Sequence, residues 1–192
     1  MYWGNATATL PIELGNVVVN RTHGYVMRLT SDAARAAETV VADVNGAISV
    51  LSGTLDQYNY TMRLWGNVTN SDRLGVWTAG ITPSRAQIQI ANNASLAINT
   101  TSSAIFGNIQ VNASTTAIIN LTSDIYVERM EYVKGLIYIK SYNLKIDNLW
   151  NMETGIFENV ASNSYLKIAN SGYSGGSMIY TDGKAGDGGL TL

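Results

Sequence analysis

Few residues in this chain could act as catalysts. The sequence has one histidine, His23, and no cysteine, so a Ser-His-Asp triad could form in one place only and thiolate chemistry is excluded. His23 stands in an Asn-Arg-Thr-His-Gly segment that is typical of a turn, and no Gly-x-Ser-x-Gly elbow supplies a serine nucleophile. The sequence therefore does not indicate a triad, and it excludes metal sites that need several histidines.

Carboxylates are the other candidates for catalysis. Carbohydrate-active enzymes of the parallel β-helix type would need acids on one outward face. Asp56 and Asp147 are the best placed of the fourteen acids, because each lies in or beside a near-repeat described below. Ordinary solvated or corner-capping carboxylates are the simpler interpretation. We therefore expect a protein that is not an enzyme, with a carbohydrate-active β-helix as an alternative.

Two further acids, Asp182 and Asp187, stand among glycines near the end of the sequence. Calcium loops combine acids and glycines in this way, but the spacing matches neither the EF-hand nor the glycine-rich nonapeptide. Either a calcium site or a glycine-rich corner fits this segment. The sequence predicts no other cofactor.

Aromatic and basic residues are interleaved between positions 126 and 150. On a strand, Tyr138 and Lys140 would share the side opposite Ile137 and Ile139. Such a strip could stack on sugar rings or contact another chain, or it could merely cover its own scaffold. The predicted interaction strip comprises Tyr126, Tyr132, Tyr138, Lys140, Tyr142 and Trp150.

Eight Asn-x-Ser/Thr sequons are spread along the chain. They could mark a glycosylated surface protein, or they could arise because solenoid corners favour Asn and the strands that follow favour Thr. The sequons begin at Asn5, Asn20, Asn59, Asn67, Asn93, Asn99, Asn112 and Asn120.

A near-repeat indicates the elements that must position these residues. Gly53 and Gly135 each begin a unit that consists of a glycine, an alternating strand, a Tyr-Asn corner and a second alternating strand. Such units leave an apolar row that a neighbouring coil of chain can cover. Apolar residues also recur at an interval of 21, as in the pairs Ile88 and Ile109, Ile90 and Val111, and Ile98 and Ile119.

These patterns predict an all-β fold, a parallel β-helix or solenoid with Asn and Gly corners. Met130 and Lys140 interrupt the echo, so the coil length should vary. A β-sandwich or jelly roll is the alternative. Alanines in 31–39 predict a short helix near residues 32–42.

The chain should form a single β-rich domain, 1–192, or a fragment of a longer surface protein. Glycine, asparagine and proline make residues 66–85 the best internal boundary. The sequence ends on Gly-Gly-Leu-Thr-Leu, which is typical of a strand without a closing turn.

Composition excludes some partners. Charged residues are 14% of the chain and the net charge is −2, so no basic stripe is available for nucleic acid. Polar residues interrupt every apolar stretch, and we expect no membrane span. The absence of cysteine does not identify a compartment.

Three segments resemble the repetitive regions of large Bacteroidetes surface proteins exported by type IX secretion, including gliding-motility adhesins. The segments are Leu51–Leu64, Gly75–Pro83 and Met178–Leu190. The resemblance implies an extracellular, cell-anchored adhesin or filament whose partners are copies or segments of the same protein, carbohydrates or solid surfaces. A glycosylated pilus-like or virion subunit assembled by strand donation is the alternative.

Overall fold

The computed structural model describes residues 12–29, 40–58, 60–76, 87–92, 96–150, 154–160, 166–171 and 190–191. Side chains are described up to residue 149, with Val40 excepted. Among the described residues the chain winds through seven successive coils, each with one strand segment on each of three faces, and β18 adds an eighth segment to the third face.

The first nine strands build three coils of three short strands each. They are β1 Ile12–Leu14, β2 Val17–Asn20, β3 Val26–Arg28, β4 Val40–Val44, β5 Ile48–Ser52, β6 Thr54–Asp56, β7 Tyr60–Leu64, β8 Val68–Asn70 and β9 Arg73–Leu74. The remaining nine are β10 Ile88–Ile90, β11 Leu96–Thr100, β12 Ile105–Asn112, β13 Ile118–Leu121, β14 Ile125–Lys140, β15 Leu144–Trp150, β16 Thr154–Val160, β17 Leu166–Ser171 and β18 Leu190–Thr191.

Three parallel sheets result. The first face stacks β1, β4, β7, β10, the end of β12, the middle of β14 and the end of β15. The second face stacks β2, β5, β8, β11, β13, the end of β14 and β16. The third face stacks β3, β6, β9, the starts of β12, β14 and β15, and then β17 and β18.

Every recorded pairing between described strands is parallel, which confirms the predicted parallel β-helix and rules out the β-sandwich. Antiparallel hairpins and Greek keys define a sandwich. Here each strand instead returns to lie beside its equivalent after a full coil.

The core is a set of stacked columns of inward side chains. One column on the first face is buried from end to end and consists of Val44, Leu64, Ile90, Val111 and Tyr132. Strand alternation places these side chains inward and their neighbours outward. Burial of apolar surface coil upon coil is the main stabilising term of the fold.

The interval of 21 is confirmed on the first face, where Ile88 pairs with Ile109 and Ile90 with Val111. It also continues through Met130, which pairs with Ile109. The predicted pair Ile98 and Ile119 is wrong, because Ile98 pairs with Leu121 at an interval of 23. Corner lengths differ between coils, so a register counted from one face does not transfer to the next.

The two near-repeats are both strand–corner–strand units, but they occupy different faces. The unit at Gly53 passes from the third face to the first through β6 and β7. The unit at Gly135 passes from the second face to the third through the end of β14 and the start of β15. Their likeness is one of corner geometry, since Tyr58 and Lys140 both have positive φ, at 48° and 57°.

Asparagine and glycine shape the corner between the first and second faces. The Oδ1 atoms of Asn16 and Asn67 accept the backbone N–H of Ala47 and Ala97 in the following coil, both at 2.8 Å. Gly66 lies against the preceding coil so closely that a Cβ would come 2.4 Å from the carbonyl oxygen of Gly46. These contacts confirm the predicted Asn and Gly corners.

The predicted helix near 32–42 lies mostly outside the described residues. Its last residues, 40–42, are in β4. The strands that flank the suggested boundary at 66–85, β7 and β10, pair directly, and β8 and β9 lie within that segment. Residues 77–86 lie outside the described residues.

Candidate interaction surface

Two rows of outward positions run along the third face, and we call them the third-face strip. The first row contains Val26, Thr54, Arg73, Ile105, Tyr126 and Lys145. The second row contains Arg28, Asp56, Gly75, Gly107, Glu128 and Asp147. Neighbours within a row are one coil apart, about 4.8 Å in a sheet.

Tyr126, Lys145 and Asp147 form a compact cluster at one end of this strip. The Tyr126 hydroxyl donates to Asp147 Oδ2, and Lys145 Nζ lies 3.1 Å from Asp147 Oδ1. The same ammonium lies 4.2 Å from the centroid of the Tyr126 ring, a cation–π contact. The hydrogen bond to Asp147, followed by burial, raises the pKa of Tyr126 to about 12. The phenol therefore stays protonated as the donor.

Glu128 stands beside Asp147 in the second row, on the neighbouring coil. An ion pair joins its carboxylate to the Arg73 guanidinium, which reaches it across the intervening coil. That coil carries Gly107, where a Cβ would come 2.4 Å from the carbonyl oxygen of Gly75. The glycine thus permits close stacking of the two coils.

Asp56 lies at the other end of the second row, beside Arg28 and Tyr58. It accepts from Arg28 Nε at 2.7 Å and from the backbone N–H of Tyr58 at 2.9 Å. Arg28 also lies over the Tyr58 ring, with its central carbon 4.9 Å from the centroid. Asp56 therefore caps a corner, as the simpler interpretation of the sequence had it.

The two acids singled out from the sequence, Asp56 and Asp147, share a row but do not meet. Gly75, Gly107 and Glu128 lie between them. The acid that does adjoin Asp147 is Glu128, which sequence reasoning missed. Its spacing of 19 residues from Asp147, one coil length on this face, is the signal that could have identified it.

The structure does not bring the predicted aromatic strip together. Tyr132 is fully buried in the core column described above, and its hydroxyl donates to the Gly135 carbonyl at 3.0 Å. The strip prediction is therefore wrong for Tyr132, because this residue takes the inward position that Val111 holds one coil earlier.

The other strip members lie on separate faces. Tyr126 is on the third face and Tyr138 on the second, opposite Asn120. Lys140 is exposed at the following corner, and Tyr142 packs against the core. Tyr138 and Lys140 do share the outward side of β14, as predicted. The side chain of Trp150 lies outside those described.

A second outward row follows the first face. Arg63 donates to Asp43 through Nε and a terminal nitrogen, at 2.6 and 2.5 Å, and the Trp65 indole N–H donates at 3.0 Å. Burial alone would raise the pKa of Asp43, but the hydrogen bonds from Arg63 and Trp65 outweigh it and lower that pKa. The row continues through Gln89, Gln110 and Glu131.

These amides and carboxylates satisfy one another along the row. Gln89 donates to Gln110 at 2.5 Å, and Glu131 accepts from Gln110 at 3.1 Å and from Gln87 at 2.6 Å. Most of the hydrogen-bonding capacity visible in this row is used between coils. The row therefore stabilises the stack more than it offers free groups to a ligand.

Arg129 occupies the corner between the third and first faces and is almost wholly buried. Its guanidinium donates to Asn108 Oδ1 at 2.8 Å. Burial lowers the pKa of Arg129, and the charge of Glu131 opposes that shift. Nothing in the periodic pattern of the sequence had indicated a buried cation here.

His23 is exposed, and its Nδ1 lies 2.8 Å from Asp72 Oδ2. The same carboxylate oxygen accepts the backbone N–H of Gly53 at 2.6 Å. The described residues place no hydroxyl group in hydrogen-bonding contact with this histidine ring. The geometry supplies a His–Asp pair without a nucleophile.

Among the sequons, Asn20, Asn67 and Asn99 are exposed, while Asn112 and Asn120 are partly buried. Asn67 uses its side-chain oxygen to cap the next coil, as described above. Asn5, Asn59 and Asn93, like the calcium candidates Asp182 and Asp187, lie outside the described residues. In the described part of the chain, no group of three or more His, Cys, Asp or Glu residues is placed to hold a metal ion.

Comparisons with protein-family models, with curated proteins and with solved structures find no match to this chain. Within the described ranges, no helix is long and apolar enough to cross a membrane.

Proposed function

We propose that this chain is a non-enzymatic structural and adhesive module of an extracellular cell-surface protein, an adhesin or a filament. In this proposal the stacked coils form a stiff scaffold and the third-face strip is the contact surface. The observation that carries the proposal is the registered pair of outward rows, in which Tyr126 and Glu128 stand beside Lys145 and Asp147 on adjacent coils.

The chemistry of the strip supports contact better than turnover. Tyr126, Lys145 and Asp147 hold one another through a hydrogen bond, an ion pair and a cation–π contact. Side chains fixed in this way lose little entropy when a partner docks, which favours binding. The rows also repeat along the stack, so one ligand with a repeating structure could contact several coils at once.

A bead assay tests the proposal. Beads coated with the 192-residue protein should be retained under flow on agarose, glass or polystyrene. Because it removes the ring and the ammonium of the strip, the double substitution Tyr126→Ala/Lys145→Ala should lower retention several-fold.

The matched control is Tyr138→Ala, an aromatic deletion on the second face, which should retain beads as the wild type does. Circular dichroism melting checks that both variants fold, and Lys145→Gln gives a milder change of the same surface. Equal retention of all variants, or no retention of the wild type on any of the surfaces, would reject the strip as an adhesive surface.

A second candidate, a carbohydrate-active β-helix, is favoured by one observation. Glu128 and Asp147 are outward neighbours on adjacent coils, at about 4.8 Å strand spacing, and retaining glycosidases hold their two carboxyl groups roughly 5–5.5 Å apart. Release of reducing ends from a polysaccharide panel would measure this activity. It should vanish in Glu128→Gln and in Asp147→Asn, and turnover that survives both substitutions would exclude these acids.

A further inference from the structure

We propose that the first two coils bind a carboxylate-bearing polysaccharide across a surface formed by Tyr25, Val26, Arg28 and Tyr58, here called the end surface. The inference rests on the proposed adhesive function and names its ligand class. It concerns the opposite end of the third face from the Tyr126 cluster.

Exposed apolar side chains are concentrated at this end. All the large hydrophobic side chains that the described residues expose lie between positions 18 and 58, on the first two coils or in the corner that follows them. They are Val18, Tyr25, Val26, Leu51 and Tyr58, exposed by 59%, 67%, 54%, 48% and 48%. Single exposed apolar groups are ordinary, but a local concentration indicates a contact surface.

The two tyrosines stand on preorganised backbone. Tyr25 closes a turn in which its N–H donates to the Thr22 carbonyl at 3.0 Å and Gly24 adopts φ of 87°. Its own carbonyl accepts the N–H of Thr54 at 2.9 Å. Tyr58 has a φ of 48°, rare for a residue with a side chain, and Asp56 holds it there. Both rings are thus presented in fixed positions.

Charge at the end surface is arranged with the cation outside and the acid beneath. The Arg28 side chain is 52% exposed, whereas that of its partner Asp56 is 7% exposed. Only Nε of Arg28 is engaged by Asp56, and the described residues offer no acceptor to its two terminal nitrogens. Those nitrogens face solvent and suit an anion.

A groove of about 620 Å³ adjoins these residues, within the size range of ligand sites, roughly 300–1,000 Å³. Its lining includes Tyr25, Val26 and Arg28 together with the facing segment of β2. Tyr25 and Arg28 both line this groove. A chain of rings lying in the groove could therefore contact the tyrosine and the guanidinium together.

The edge geometry favours a saccharide over a peptide. In the described coils, β2 and β3 pair on one side only, with β5 and β6. They are four and three residues long and an exposed turn separates them, whereas an added peptide strand typically needs about five or six continuous residues. Short strand edges beside aromatic rings instead suit flat sugar faces.

The guanidinium selects the acidic group. The two terminal nitrogens of Arg28 form a planar fork that matches a planar carboxylate through two parallel hydrogen bonds. A uronic acid supplies that carboxylate on a sugar ring, so the inferred ligand is a polyuronate.

Biolayer interferometry with immobilised polygalacturonate tests the inference on the 192-residue protein. The wild type should bind, and Arg28→Ala and Tyr25→Ala/Tyr58→Ala should each weaken affinity about tenfold, as expected for central contact residues. Arg28→Lys keeps the charge without the fork and should recover only part of the affinity. Leu51→Ala, an exposed apolar residue of β5 that does not line the groove, should bind as the wild type does.

Three further polymers distinguish binding of a polyuronate from the alternative ligands. Neutral dextran should not bind, while dextran sulfate and poly-L-glutamate should bind at least tenfold more weakly than polygalacturonate. Equal binding of poly-L-glutamate would replace the saccharide by an acidic peptide, and equal binding of dextran sulfate would reduce the site to bulk charge. Absence of polygalacturonate binding, or binding that ignores all three aromatic and arginine positions, would overturn the inference.

The bead assay separates this inference from the proposed function. Loss of polygalacturonate binding alone would remove the ligand assignment, while retention that depends on Tyr126 and Lys145 would leave the adhesive module standing. Failure of the bead assay would reject that module regardless of the result with polygalacturonate.

Discussion

Tyr126 combines a proton donor and a cation–π acceptor in one outward side chain. Its hydroxyl is committed to Asp147 and its ring to Lys145, so the three groups set one another's positions. A phenol that donates to a carboxylate is stabilised in its neutral form, and this raises its pKa to about 12. The consequence is a contribution to stability that depends on pH in the alkaline range.

The sign of that dependence follows from proton binding. An unfolded tyrosine loses its proton near pH 10, whereas the folded Tyr126 keeps it until about pH 12. The stabilisation is therefore complete below pH 10 and is lost as the pH rises from 10 to 12. Urea unfolding at pH 9 and at pH 11.5 should show the wild type losing more stability than Tyr126→Phe. Asp147→Asn should behave like Tyr126→Phe, and an identical loss in all three proteins would contradict the assignment.

Residue-scale features were the least predictable from the sequence. The acids and tyrosines could be named, but their partners depend on corner length. Asp43 and Arg63 meet because they are one coil of 20 residues apart, and Arg73 meets Glu128 two coils further along the third face. Tyr132 and Tyr138 have similar sequence surroundings, yet one fills the core and the other faces outward.

At the scale of elements, the corners decide the register. The corner between the first and second faces carries Gly15, Gly46 and Gly66 in successive coils. An added Cβ would meet nothing within 4 Å at Gly15, but it would lie 2.4 Å from the backbone oxygen of Gly46 at Gly66. Equivalent corners therefore tolerate side chains differently, depending on what covers them.

Alanine substitutions at two of these corners test that difference. Gly66→Ala should lower the free energy of unfolding by about 1–3 kcal/mol, because backbone must move to accept the methyl group. Gly15→Ala should change it by less than about 0.5 kcal/mol, the usual range for open surface sites. Chemical denaturation of both variants measures this, and equal effects at the two sites would refute the close-approach explanation.

The strands themselves were more predictable than their corners. Alternation in the sequence identified the inward residues, and the interval of 21 located two true pairs on the first face. The interval failed at Ile98, because the corner before β13 contains additional residues. These residues lengthen the interval on the second face but not on the first. Periodicity reports which side of a strand is apolar, whereas register also depends on turn length, which composition does not specify.

Over the whole molecule, stability comes from columns of inward side chains. Ile119 is almost fully buried within such a column, between Leu96 and Ile137, while its neighbour Ile118 points outward. The fold class was predictable because these columns leave a regular apolar pattern along the chain. The face on which a given unit would lie was not, as Gly53 and Gly135 show.

Adjacent substitutions in β13 separate core from surface. Ile119→Ala should destabilise the protein by about 2–5 kcal/mol through lost burial and a cavity. Ile118→Ala removes the same atoms from a partly exposed site and should cost roughly 1 kcal/mol or less. Thermal and urea unfolding compare the two, and a larger loss in Ile118→Ala would invert the inward and outward assignment of this strand.

Unequal coils also have a consequence for how such a chain can change. On the first face, paired residues are separated by 30, 20, 26, 21, 21 and 19 positions, yet each strand returns to the same sheet. Coils of different length therefore keep the same rows in register. The scaffold is therefore suited to insertion: a foreign loop placed between β9 and β10 would be carried outside a sheet whose spacing it does not alter.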